Sequence, residues 1–330
     1  MKEDAEIHIA LAADSNYIVP ITVVLQSIFD HHADTEVHIY LLFIEKTLQE
    51  KDLRFLADYT EKHRQHFVPL EVKREQIEGF PDSRHGKAAL LRLCLPALLP
   101  QSDKILYIDG DTIVQDNLTE LFQTDISSYY VAAAKDTACV YHPGLIRALD
   151  INDSHWYFNS GVTLLNLKEL RAIDLPRKTA AFTSAHYDII AAPDQDALNY
   201  ICQGRTLYIH PRYNMNYSVE KDVARLVWGR EQVKEAKASP AIIHFIGPVK
   251  PWSVLCVHPQ RGRWWKTLKK TPFARYRPKD ENLKNRLRKC YLLAGKAIER
   301  QFSLEGKRKI GRLIPAGLKK GLKKSLLKPS

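Results

Sequence analysis

The chain reads as an α/β protein with a mostly parallel central sheet and a basic helical C-terminal tail. Three observations predict it. Strand-length apolar runs alternate with helical spacings through the first third of the chain. The run Ile105-Leu106-Tyr107-Ile108 is apolar without a break, as suits a parallel strand covered on both faces. Positive charge is concentrated at the end: Lys279 to Ser330 holds 16 Lys or Arg against 4 Asp or Glu, a net +12 where the whole chain carries +11, so residues 1–278 carry about −1.

Taken in order, Ile7–Ala12 is a first strand and Ala13 to Tyr17 the loop that leaves it. Pro20 suits the first turn of a helix carrying Val23, Val24, Ser27 and Ile28 at helical spacing. Val37–Phe43 is a second strand. Thr47 and Glu50 have capping-box spacing for a helix through Leu53, Leu56 and Ala57, and Phe67–Val72 is a third strand. This order predicts a parallel sheet with helices on both faces. Gly86–Leu95 is a predicted helix containing Arg92, and the apolar run ending at Ile108 follows it. Val131 to Asp136 is a short strand ending in an acid. Tyr157–Leu167 is a strand into which Asn159, Ser160 and Gly161 bring small polar residues, a pattern expected where backbone passes close to a ligand. A helix from about Pro176 precedes Pro193–Asn199, a loop opening a helix, and Ala241 to Trp252 is a late strand with an unusual exit. There is no internal repeat.

The 45% hydrophobic fraction is that of a globular protein, and 330 residues hold one large α/β domain with an appendage or two small domains. Cys94, Cys139, Cys202, Cys256 and Cys290 are scattered without a C-x-x-C pair, which suits a reducing compartment better than a disulfide framework or zinc site. The apolar stretch near the start is too short for a signal-peptide core, and no segment approaches the ~18 apolar residues of a membrane helix. The expectation is a soluble, cytoplasmic chain with a catalytic domain over 1–265 and a basic amphipathic region over 266–330.

The apolar run ends in Asp109-Gly110-Asp111. Ligands of open α/β sheets collect at the carboxyl ends of strands, so these carboxylates stand where a site is expected. Alternation sends them to the same side. There they repel unless a cation lies between them, and oxygen ligands of this kind suit Mg²⁺ or Mn²⁺. Asp-Gly-Asp after a strand is equally ordinary turn chemistry.

In the tail, Leu283, Leu287, Tyr291, Ile298 and Phe302 fall near one helical face, with Arg286, Lys289, Lys296 and Arg300 largely elsewhere. Leu318, Leu322 and Leu326 repeat every four residues among Lys319, Lys320, Lys323 and Lys324. A basic amphipathic helix is a membrane-surface signature, with each lysine contributing about 1 kcal/mol near an anionic leaflet. Attachment to the inner face of the cytoplasmic membrane is expected over a solvated tail or nucleic-acid binding. Trp264 and Trp265 are expected either to pack on the catalytic domain or to sit at the lipid interface.

Six blocks, in order, resemble the retaining nucleotide-sugar glycosyltransferases of family 8, which include bacterial lipopolysaccharide galactosyl- and glucosyltransferases and glycogenin. They are Ala12 to Tyr17, Arg92-Leu93, Tyr107 to Asp111, Phe158 to Gly161, Asp194-Gln195-Asp196 and His244 to Trp252. The resemblance implies a glycosyltransferase A-type, Rossmann-like nucleotide-binding domain and transfer of galactose or glucose from a UDP-sugar to a saccharide or glycolipid acceptor. It implies Mn²⁺, or Mg²⁺ in its place, on Asp109, Asp111 and His244. It puts Ala12, Asp14, Asn16 and Tyr17 around the uracil and ribose, Ile108, Asp109 and Gly110 against the nucleotide, and Gly247 and Lys250 at the diphosphate. Arg92, Asp136, Asn159, Asp194 and Gln195 then line the donor sugar. Surface-polysaccharide synthesis is the expected setting.

The chemistry agrees with these roles. A departing nucleoside diphosphate needs positive charge on its oxygens, which a divalent ion and Lys250 supply. An imidazole added to oxygen ligands shifts preference from Mg²⁺ towards Mn²⁺. Taken alone, His244 reads as a core histidine, Arg92 as a solvated helix residue and Tyr17 and Trp252 as packing residues, while Asn159 to Gly161 is as readily a plain turn, and Asp194 to Asp196 an acidic helix start, as part of a site. Gln195 stands where a double displacement would need a nucleophile, and an amide is a poor one; departure and attack on one face is the expectation, with Asp194 the fallback. Two other readings remain: a haloacid-dehalogenase-like phosphatase, whose D-x-D-G-T loop has its glycine elsewhere, and a non-catalytic membrane or nucleic-acid adaptor.

Overall fold

Strand β1, Glu6–Ala12, is buried on both faces: Ile7, Ile9 and Leu11 enter one apolar cluster and Ala10 and Ala12 another. The first cluster includes Ile21, Val24, Leu25 and Ile28 of the helix Ile18–Phe29, and the second includes Leu90, Leu91 and Leu93. Each such side chain contributes roughly 1.5–3 kcal/mol by leaving water, so the two layers hold the sheet between them. The computed structural model describes residues 6–78, 87–152, 156–219, 221 and 223–301, without the side chains of 295–301.

The other strands are β2 Glu36–Ile44, β3 His66–Val72, β4 Lys104–Ile108, β5 Thr112–Val114, β6 Val131–Lys135, β7 Phe158–Asn166, β8 Thr206–Tyr208, β9 Met215–Asn216 and β10 Ile242–His244. The main sheet has the order β3-β2-β1-β4-β7-β6-β8. It is mostly parallel, as expected, but β7 runs antiparallel to both of its neighbours, β4 and β6. The late strand lies outside this sheet: β10 pairs antiparallel with β5 and parallel with β9 in a separate three-stranded sheet.

Several local expectations change. The helix Glu50–Lys62 is capped by Gln49, with Asp52 reaching back to it, whereas Thr47 Oγ1 donates to the Ile44 carbonyl at 2.7 Å. The segment around Arg92 is a 3₁₀ helix, Lys87–Cys94, followed by one α-turn, Leu95–Leu98; Gly86 lies outside the described residues.

The described residues belong to two compact units, Met1–Pro251 with Gln260–Tyr276 and Trp252–Pro259 with Arg277–Ser330. The helix Arg261–Leu268 runs across residue 265. Trp264 in that helix is wholly buried, Trp265 Nε1 donates to the Pro251 carbonyl at 2.9 Å and Lys270 pairs with Asp30 at 2.8 Å. The tryptophans are therefore packing residues. In the second unit, Leu283, Leu287 and Tyr291 of the helix Leu283–Gln301 are exposed. The leucine repeat at Leu318, Leu322 and Leu326 and the lysines around it lie outside the described residues.

Candidate active site

Strand β4 ends at Ile108, and Asp109 N–H still donates to Gly161 O of β7 at 2.8 Å. The chain then turns, with Thr112 Oγ1 donating to Asp109 O at 2.9 Å, and enters β5 in the other sheet. Asp109-Gly110-Asp111 is thus a turn as well as a site: it joins two sheets, and both carboxylates converge there. Because β10 pairs with β5, His244 lies opposite Thr112 and its Nε2 is 3.2 Å from Asp111 Oδ1 and 3.6 Å from Asp109 Oδ2. Asp111 and His244 are buried; Asp109 is partly open.

Burial pushes the Asp109 carboxyl up, against the pull of Arg92 and His244 and with the push of Asp111. Burial also disfavours charge at Asp111, yet His244 and Lys250 outweigh it and hold that carboxyl below the ordinary range. The ligand atoms of Asp109, Asp111 and His244 lie within 4.8 Å of one another. Two carboxylates with one imidazole fit a Mn²⁺-class ion. Gly161 leaves room for them: a Cβ there would come 2.6 Å from Asp109 Oδ2 and 2.2 Å from His244 Cε1.

A relay of side chains stands behind the histidine. His244 Nδ1 is 2.9 Å from Asn214 Oδ1, Asn214 Nδ2 donates to Asn159 Oδ1 at 2.8 Å and Asn159 Nδ2 donates to Asp136 Oδ2 at 3.0 Å. Asn159 Oδ1 also accepts from Gly161 N–H at 3.0 Å. An N–H can only donate and a carboxylate only accept, so the Gly161 and Asp136 ends orient both amides, and His244 Nδ1 must carry the proton. Nε2 is left as the nitrogen that faces the aspartates and would ligate an ion there.

Arg92, which the resemblance puts along the donor sugar, is a buried strut: Nη2 donates to Asp109 Oδ1 at 2.7 Å, Nη1 to the Ser160 carbonyl and Nε to the Ala89 carbonyl at 2.9 Å, with Asp194 Oδ2 3.4 Å from Nε. Its guanidinium lies over the Tyr107 ring, whose hydroxyl donates to Asp109 Oδ1 at 3.1 Å. A cation this committed to protein partners positions carboxylates.

Asp194 Oδ2 accepts from Ser160 Oγ at 3.0 Å, and Gln195 Oε1 accepts from Ser160 N–H at 3.0 Å. The next acid is structural: Asp196 accepts from Tyr157 OH and from the N–H groups of Ala191 and Ala192, both at 2.9 Å. Asn199 fastens the same helix to β7, accepting from Phe158 N–H at 2.7 Å and donating to Phe158 O at 2.9 Å.

Lys250, expected at the diphosphate, has its ammonium on Asp111 Oδ2 and 3.3 Å from the Phe245 carbonyl. Gly247 has φ of 91°, a left-handed conformation that glycine adopts without strain. At the end of β1, Asp14 Oδ1 accepts from Asn16 N–H at 2.8 Å and shapes the 3₁₀ turn Ser15–Tyr17. A Cβ on Gly110 would lie 3.2 Å from the Tyr17 ring, so this glycine lets the turn lie against the carboxylate loop. Burial, then Asp111 and Asp109, push the Tyr17 hydroxyl up. Ala12 ends β1 and Ile108 ends the parallel neighbour β4, at the end of the main sheet where Asp109 stands.

Sequence reasoning gave no role to Asn214, Ser160, Tyr107 or Asn199. Ser160 and Tyr107 stand inside the matched blocks, and Asn199 follows one closely. Asn214 carries no local signal, because its contacts are made to residues 30 and 55 positions away.

Residues 8–256 match the model of the family described as Glycosyl transferase family 8. General stress protein A of Bacillus subtilis (strain 168) is 30% identical over 272 residues, covering 80% of this chain and 94% of that protein. Lipopolysaccharide 1,2-glucosyltransferase of Escherichia coli (strain K12) is 23% identical over 276 residues, covering 83% and 81%. Among solved structures, the galactosyltransferase LgtC in complex with donor and acceptor sugar analogues superimposes with a TM-score of 0.72 at 27% identity, over 81% of this chain and 96% of that one.

Proposed function

This chain belongs to glycosyltransferase family 8, and from that premise we propose that it moves galactose or glucose from a UDP-sugar to a saccharide or glycolipid acceptor in lipopolysaccharide or other surface-polysaccharide synthesis. The observation that carries the reading is the convergence of Asp109, Asp111 and His244 from two sheets, with Lys250 beside them. The named activities of the glucosyltransferase and of LgtC support the hexose and the setting. Family membership sets aside the phosphatase reading, and this cluster of charged groups argues against a non-catalytic scaffold.

Asp109, Asp111 and His244 would hold Mn²⁺, which when bound would supply Lewis-acid stabilisation of the leaving diphosphate. Lys250 exchanges its partner Asp111 for a phosphate oxygen and adds positive charge there. Arg92 and Tyr107 hold Asp109 in place. Asp14, Asn16 and Tyr17 at the end of β1 receive the uridine. Asp136, Asn159, Asp194 and Gln195 orient the sugar.

The Gln195 carbonyl oxygen is engaged by Ser160 N–H and Asp194 by Ser160 and Arg92. Both are thereby weakened as nucleophiles, which supports departure and attack on one face with the leaving phosphate taking the acceptor proton.

The exposed Leu283, Leu287 and Tyr291, on a helix that also carries Arg286 and Lys289, support attachment to the anionic inner face of the cytoplasmic membrane through the C-terminal region. No described helix is long and apolar enough to cross a membrane.

Slow hydrolysis of a panel of UDP- and GDP-sugars, with Mn²⁺ or with a chelator, tests the donor and the metal together. UDP-hexose turnover that stops with the chelator is expected. Hydrolysis of GDP-mannose alone would overturn the donor.

A further inference from the structure

We propose that the amino ends of β1 and β2 carry a second cation site, for a zinc-class divalent ion, built from Glu6, His8 and His38. Parallel in-register pairing puts Glu6 beside Glu36 and His8 beside His38, and β3 extends the histidine row with His66. Residues two apart share a face of a strand, so both rows stand on the same side. The rings of His8 and His38 lie 4.9 Å apart and those of His38 and His66 4.4 Å.

Each carboxylate bridges two imidazoles. Glu6 Oε1 lies 3.1 Å from His8 Nε2 and 3.0 Å from His38 Nε2; Glu36 Oε1 lies 3.1 Å from His38 Nε2 and 3.0 Å from His66 Nε2. Within each trio the ligand atoms fall inside 4.8 Å of one another. Zinc bonds of about 2.0–2.1 Å ask for ligands roughly 3.3 Å apart in a tetrahedron, a spacing small side-chain rotations supply.

His38 belongs to both trios, and its single Nε2 serves one ion, so the ladder holds one. The Glu6 trio is favoured because the His8 side chain is 25% exposed where His66 is 54%, leaving less freedom to lose on binding. His8 also has a partner behind it: Tyr40 OH is 3.0 Å from Nδ1. A tyrosine hydroxyl donates or accepts, so its oxygen accepts a hydrogen bond from Nδ1–H when Nε2 turns its lone pair to a metal.

Two imidazoles with one carboxylate select zinc over the harder ions suited to the aspartate pair. The register Ile9 to Leu106 puts His8 four rows below Asp109, about 13 Å along the strands. An ion here ties β1 to β2 at the end of the sheet away from the aspartates, and binding to the folded state alone raises the melting temperature.

The test is zinc titration of the full-length, tag-free protein against a chromophoric chelator, with Mn²⁺ in excess. Wild type is expected to take up one Zn²⁺ that Mn²⁺ does not displace, and to melt higher with it. His38→Gln should lose that ion, and Tyr40→Phe should hold it roughly tenfold more weakly. Glu6→Gln, at an exposed position, repeats the measurement without risk to the core. Equal zinc uptake by wild type and both His38→Gln and Glu6→Gln, or no uptake that survives Mn²⁺, would overturn the site.

Discussion

The Nδ1 atom of His244 lies 2.9 Å from Asn214 Oδ1, and this contact settles which imidazole nitrogen faces Asp109 and Asp111. Asn214→Ala removes the acceptor and lets the ring take either tautomer. Roughly 10–100-fold weaker Mn²⁺ binding is expected, with unchanged circular dichroism. Titration followed by Mn²⁺ electron paramagnetic resonance measures it; wild-type affinity would remove the relay from the account.

Asp111→Asn and His244→Ala each take one ligand from the cluster. Both should lose Mn²⁺-dependent turnover while the fold persists, because neither side chain belongs to the apolar clusters around the main sheet. Assay of UDP-sugar hydrolysis across Mn²⁺ concentrations checks this, and normal metal dependence in either variant contradicts the proposed ligand set.

Gly161→Ala drives a methyl group into His244 and Asp109, whose atoms would lie 2.2 and 2.6 Å away. The crowding should cost about 1–3 kcal/mol of stability. Mn²⁺ affinity should fall with it. Thermal melting and metal titration of the same sample separate the two effects.

Gln195→Ala leaves the aspartate cluster and Ser160 in place. Transfer on one face predicts a reduced but measurable turnover, read by single-turnover kinetics with the UDP-sugar. Complete loss, accompanied by a trapped sugar on wild-type Gln195, would restore a covalent route.

Truncation near Lys279 removes the exposed Leu283, Leu287 and Tyr291 together with the tail lysines. Flotation with anionic liposomes should recover the full chain and lose the shortened one, most clearly at low salt. Equal flotation of both would place membrane contact elsewhere.

The early alternation of strands and helices was legible because apolar periodicity is a local property. So was the pair at Asp109 and Asp111, since it ends a continuously apolar strand. The family blocks led to His244 and Lys250, although spacing alone left His244 a core histidine. Arg92 shows the limit: a cationic residue in a helical pattern reads as solvated, and only the depth of its burial against Asp109, Asp194 and Ser160 makes it a strut.

By itself the sequence determined the longer strands and helices of the first third of the chain, and which acids stand at the end of β4, because these follow from side-chain period and local backbone preference. Tertiary structure decided the antiparallel entry of β7, the removal of β10 to a second sheet and the contact of His244 with Asn214. Those depend on pairings between residues far apart in the chain, whose energy comes from burial and hydrogen bonds that exist only once the sheets have assembled.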